Sequence, residues 1–194
     1  MMNPVSETND SPARLLRKDF FAYRNGIIAD KLRNAGDPHT IIMGNLLADL
    51  LTITNHARNS IGDDARLATV AQELWADTHS RECRLAAPML FPPELMSKQL
   101  ALQWCENIET TEVADNLCHK LLRHIPESQE VMNELISSEG QMQRYTGYRI
   151  MQGLLALGKL HPTASLRTLI EAEADQGHFT PLLKDILEEL NEMD

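Results

Sequence analysis

The stretch that decides the fold is Leu100–Leu122, LALQWCENIETTEVADNLCHKLL, two apolar runs at helical spacing separated by the polar turn Glu106–Thr110. Trp104 closes the first run, and Thr111 begins the second. The same plan can be laid over Thr69–Leu90, Val131–Leu155 and Ser165–Leu187, a period of about 30 residues, with Trp75 at the place of Trp104. One such hairpin cannot bury its apolar face alone, so neighbours must stack, and a curved array with an extended concave surface follows. Both tryptophans, at equivalent places in consecutive units, are assigned to packing between them.

Working outward, prolines and glycines punctuate the pattern. Ser11-Pro12 reads as a cap and first turn of a helix running to about Ala35, with Leu16, Phe20, Tyr23 and Ile27 as its core stripe. Gly36-Asp37-Pro38 stops that helix and starts one from His39 to about Arg58. Pro92-Pro93, Pro126 and Pro162 separate later hairpins, and Ser138–Gln141 fits a capping box. The expected organisation is a disordered leader at 1–10 and one repeat domain at 11–194, with hairpins at about 11–58, 64–90, 94–125, 127–158 and 164–192. Alternation of the kind a strand needs never persists, so the fold class is all-α.

Composition narrows the function. No run approaches the roughly 18 to 20 apolar residues of a membrane span, and Met1–Pro12 has no apolar signal core, so a cytoplasmic location without membrane contact is expected. Cys83, Cys105 and Cys118 form no Cys-x-x-Cys pair and read as buried reduced thiols, and the seven histidines lack ligand spacing. No metal and no cofactor is expected. The net charge of −10 opposes a polyanionic partner, yet most of it lies in residues 171–194, where eight acids face the single base Lys184. An acidic last helix reads as a solvated cap.

Phosphate-loop glycines, a Gly-x-Ser-x-Gly elbow and His-Glu-x-x-His are all missing from the sequence. The chemistry therefore rests on the second repeat. On the helix from Thr111, Val113, Leu117, Cys118, Leu121 and Ile125 make the buried face, and Asp115 lies at its border, four residues from Thr111 and from His119. At that border Asp115 either faces the concave groove or pairs with His119 at the surface; spacing leaves both open. Arg81, Arg84, Lys120, Arg123, Arg144 and Arg149 fall on the second helices of hairpins, forming either a phosphate track or a mixed solvated face with Glu82 and Glu112.

Phe20–Arg24 through Ile42-Met43-Gly44, Leu74–Ala87, Gln103–Cys118 and, more loosely, Arg144–Tyr148 resemble the AlkD-like family of DNA alkylation repair proteins, alkylpurine DNA glycosylases built from HEAT-like repeats. The resemblance implies a right-handed superhelix of HEAT-like hairpins holding double-stranded DNA, and removal of a cationic alkylated purine without turning the base into a pocket. It implies that Asp115 stabilises the oxocarbenium-like sugar and orients water, with Arg81, Arg84, Lys120, Arg123, Arg144 and Arg149 on DNA. The family's aromatic residue four positions before that aspartate corresponds here to Thr111, and its third-repeat basic residue to Arg144 or, in another register, Tyr145. The alternative function is a non-catalytic helical-repeat adaptor for a protein or structured nucleic acid, which the net negative charge and Thr111 motivate.

Overall fold

The computed structural model describes residues 11–193, so the leader at 1–10 lies outside the described residues. All regular structure in that range is helical, apart from one isolated parallel bridge between Ile41 and Ser80. The chain divides between Phe91 and Pro92 into two compact units, at the Pro92-Pro93 break.

The first unit holds α1 (Pro12–Ala22), α2 (Gly26–Asn34), α3 (Leu47–Ile61), α4 (Asp64–Trp75) and α5 (Arg81–Leu90). The Ser11 hydroxyl accepts the Arg14 N–H, and Pro12 takes the first turn, as the cap signature requires. The long first helix does not form. Asn25 donates its backbone N–H to Met43 O at 2.8 Å and caps α2 by accepting the Ile28 N–H, while Asn45 Nδ2 donates to Phe20 O at 3.1 Å and closes α1. Leu16 and Phe20 are buried, but the break turns Tyr23 and Ile27 outward, and Ile27 is 72% exposed.

Nor does a helix start at His39. Asp37 Oδ1 accepts the His39 N–H at 3.0 Å and meets its imidazole Nδ1 at 2.7 Å, which holds the backbone in a turn. Residues 39–46 then run extended beside the start of α5: Ile41 takes the His79 carbonyl, and Arg81 N–H donates to Ile41 O. Glu82 anchors this segment, its two carboxylate oxygens accepting the N–H groups of Met43 and Gly44 at 3.0 Å each. Gly44 has φ +78°, and a Cβ there would lie 2.2 Å from Asn25 O, so only glycine fits.

Every residue of α5 is buried, because α3 and α4 both pack on it. This corrects the phosphate-contacting role expected of Arg81 and Arg84, which are only 4% and 3% exposed. Arg81 donates to Glu82 and to Asn45 O, and Arg84 donates to Trp75 O at 2.9 Å with its guanidinium 3.5 Å from the Trp75 ring centroid. Both guanidinium groups are occupied by internal contacts.

The second unit holds α6 (Lys98–Cys105), α7 (Thr111–Lys120), α8 (Ser128–Ile136), α9 (Gln141–Ala156), α10 (Ala164–Asp175) and α11 (Thr180–Met193). Trp104 on α6 is buried, as Trp75 is on α4. Helix α9 is central, packing on α7, α8 and α11. Gly147 allows the α8 contact: a Cβ there would meet Ile136 Cγ1 at 2.7 Å and Ile136 N at 2.9 Å. Gly147→Ala is expected to destabilise the protein by about 1 kcal/mol or more, since overpacking against backbone outweighs the helix-propensity gain. A lowered urea midpoint would show it.

Two boundaries differ from the sequence expectation. Helix α7 ends at Lys120 and passes into a 3-10 turn at Leu122–His124, whose Leu122 carbonyl accepts the Ser128 hydroxyl at 2.6 Å. The capping box at Ser138 is absent, because the Ser138 hydroxyl closes α8 by donating to Leu135 O at 2.8 Å, leaving Gly140 to begin α9. The three cysteines are buried free thiols, and burial pushes the Cys83 thiol up to about 11.

Candidate functional site

Helix α7 starts where Thr110 accepts the Val113 N–H, and its apolar face, Val113, Leu117 and Cys118, is buried. That phase leaves Asp115 half-shielded, its side chain 39% exposed. Its partner is not His119. Tyr145 and Arg149, one turn apart on α9, converge on the same oxygen: the Tyr145 hydroxyl donates to Asp115 Oδ1 at 2.8 Å, and Arg149 Nε lies 2.7 Å from it. The arginine contact is an ion pair in which that N–H is not aligned as a hydrogen bond. Burial, then the neighbouring Asp115 carboxylate, pushes the Tyr145 phenol well above its ordinary value, so it remains a donor at neutral pH.

Arg149 also donates to the Gln152 side chain, which passes a hydrogen bond to Glu189 Oε1 on α11 at 2.9 Å. On this side a cavity of about 120 Å³ is bordered by His119, Arg123, Arg149, Gln152 and Glu189. Gly153 lets Arg123 lie close across α9, since a Cβ there would be 3.0 Å from Arg123 Cδ. Several cationic groups surround His119. Burial lowers the His119 pKa first, and Arg123, Lys120, His124 and Arg149 lower it further; His124 is lowered by burial, Arg123 and Lys159.

The other face of Tyr145 borders a larger cavity of about 660 Å³, with Ile108, Glu109, Thr111, Met142 and Phe179 among its walls. Phe179 places its ring edge-on to Tyr145, centroids 5.6 Å apart, and 6.2 Å from Tyr148.

Of the residues singled out from sequence, Asp115, Lys120, Arg123 and Arg149 fall into one region. Arg144 does not join them. Its guanidinium caps the α8–α9 turn by donating to Glu139 O at 2.8 Å and pairs with Glu173 at 3.3 Å, which commits it to holding α9 against α10. The sequence pointed to His119 only as a surface partner of Asp115 and to Tyr145 only as an alternative match for the family's basic residue, and it gave His124 and Phe179 no role. The four-residue spacing of Tyr145 and Arg149 was visible there, but the α7–α9 packing that aims both at Asp115 was not.

Residues 16–179 match the family model described as DNA alkylation repair enzyme. The chain belongs to that family. The matched span takes in Asp115, Tyr145 and Arg149 and ends on Phe179, so the acidic helix α11 lies outside it. Among solved structures, this family member is similar to one described as a new family of proteins related to the HEAT-like repeat DNA glycosylases with affinity for branched DNA structures. The TM-score is 0.68 at 16% identity, over 91% of this chain and 74% of that one. The all-α architecture is thus of the HEAT-like kind. No curated protein matches the sequence.

Proposed function

We propose that the protein binds DNA through Lys120, Arg123 and Arg149 and removes cationic alkylated purines at Asp115. The observation that carries this reading is a half-exposed carboxylate, held by a phenol and a guanidinium, beside the cationic group around His119. The glycosidic bond breaks with its electron pair moving to the base nitrogen, which neutralises the alkylated base. Positive charge develops on the sugar, and Asp115 opposes it. Water then adds to the sugar carbon and gives up a proton, for which the carboxylate is the adjacent acceptor. Tyr145 fixes the carboxylate's direction. Arg149, whose side chain is partly exposed, is suited to a phosphate of the same strand.

Salt titration of duplex binding tests the electrostatic part. Arg123→Ala is expected to reduce the slope of log affinity against log salt by about 1. Arg84→Ala is expected to lower stability and leave that slope unchanged, because its guanidinium is inside the first unit.

A pH dependence follows from the same group of charges. A phosphate near His119 raises a pKa that burial and the surrounding cations depress, so binding takes up a proton. The added affinity is full below the free-protein pKa and is lost as pH rises through the bound-state value. Duplex affinity is expected to strengthen as pH falls below the ordinary histidine value of 6.5, and His119→Asn to flatten the profile.

A second reading, binding of branched DNA without chemistry, is favoured by Thr111 at the family's aromatic position and by the description of the similar solved structure. Comparing release of methylated purines with affinity for a four-way junction separates the two.

A further inference from the structure

The acids of α11 lie beyond the matched span of residues 16–179, and the phase of the helix decides which of them reaches the site. Leu183, Ile186 and Leu190 recur at three- and four-residue steps and are buried, which seats α11 against α9 and α10. Asp185, Glu188 and Glu192 are exposed, whereas Glu189, three residues from Ile186 and next to Leu190, is half-buried at the border of that face. Glu189 Oε1 accepts the Gln152 Nε2–H at 2.9 Å, and Gln152 Oε1 accepts from Arg149 Nη1. A carboxylate only accepts and a guanidinium only donates, so the amide between them has one orientation. Arg149 Nε meanwhile lies 2.7 Å from Asp115 Oδ1. The guanidinium is therefore held between two carboxylates, one in direct contact and one through an amide.

The apolar stripe accounts for the seating of α11, and a glutamine at 189 would accept the same hydrogen bond from Gln152 with similar helix propensity. What the carboxylate adds is a negative charge at the edge of the cavity that His119, Arg123 and Arg149 also border. A backbone phosphate brings the same sign of charge and the same kind of acceptor oxygen. We propose that Glu189 is an internal competitor of DNA phosphate for Arg149: through Gln152 it holds the guanidinium to the protein, and phosphate gains the arginine only by displacing that hold. The inference rests on the reading above that Arg149 contacts DNA, and it adds a residue outside the family span that sets how tightly DNA is held. On displacement the Gln152 amide leaves Glu189, and its Nε2–H becomes a further donor to the phosphate. The buried stripe keeps α11 in place, so the exchange needs side-chain rotation alone.

The test compares the full chain as wild type, Glu189→Gln and Glu188→Gln in binding an unmodified duplex, followed by fluorescence anisotropy. Glu188→Gln makes the same change in net charge one residue away, on an exposed carboxylate that faces Lys184 at 3.8 Å. Glu189→Gln is expected to tighten binding by about 2- to 5-fold, the worth of one partly exposed charge pair, and Glu188→Gln to leave it unchanged. In an Arg149→Ala background the gain from Glu189→Gln is expected to vanish, a coupling that altered net charge does not produce. An affinity for Glu189→Gln no higher than that of Glu188→Gln, or a gain that persists without Arg149, overturns the proposal and leaves the DNA-binding reading intact. A wild type with no salt-sensitive affinity for the duplex, or Arg149→Ala binding as tightly as the wild type, overturns the reading on which the proposal rests.

Discussion

Glu82→Ala is expected to lower the stability of the first unit by about 3–5 kcal/mol, the cost of removing one partner of a buried ion pair. Its carboxylate is fully buried, 3.0 Å from Arg81 Nη1, and accepts two backbone N–H groups from the segment before α3. Alanine leaves the Arg81 guanidinium buried without its carboxylate and strips both amides of their acceptor. For a chain of this size the melting midpoint should fall by about 6–20 °C. Glu82→Gln keeps an acceptor oxygen in place and should lose less. A midpoint for Glu82→Ala within about 2 °C of the wild type would contradict the anchoring role.

Asp115→Asn is expected to reduce methylpurine release by about 100- to 1,000-fold, the usual loss when one preorganised electrostatic group is removed from the place where charge develops. The amide keeps the shape and can still accept from Tyr145, so the fold should be retained. Duplex affinity should hold or rise slightly, because Arg149 loses the carboxylate that competes with phosphate for it. Loss of release together with loss of binding would assign Asp115 to the architecture of α7 and α9.

The later hairpins were legible because their signals are local. Apolar spacing sets each helix face, and Pro92-Pro93, Pro126 and Pro162 mark where helices cannot continue. The segment between α2 and α3 was not legible, since its geometry depends on Glu82, 38 and 39 residues further along the chain from the amides it accepts, and on a close approach that Gly44 alone permits. Arg81 and Arg84 misled for a related reason. Charge on a helix reads as a solvated face, but α5 is covered on all sides and its arginines are satisfied by a carboxylate, carbonyls and an indole ring.

Within the site, the border position of Asp115 could be read from the phase of α7, whereas its partners come from α9, 30 and 34 residues away. Thr111 looked like the loss of an aromatic wall. The fold brings Phe179, 68 residues later, into the same cavity, where the aromatic surface is supplied by Phe179 and Tyr145.

The measurement that bears most directly on the central claim is release of methylated purines by the wild-type protein from alkylated duplex DNA, run beside its affinity for an unmodified four-way junction. Release well above the spontaneous rate is expected, with no marked preference for the junction over the duplex. Release at the spontaneous rate with strong junction preference would contradict it and would make Asp115, Tyr145 and Arg149 part of a binding surface for branched DNA.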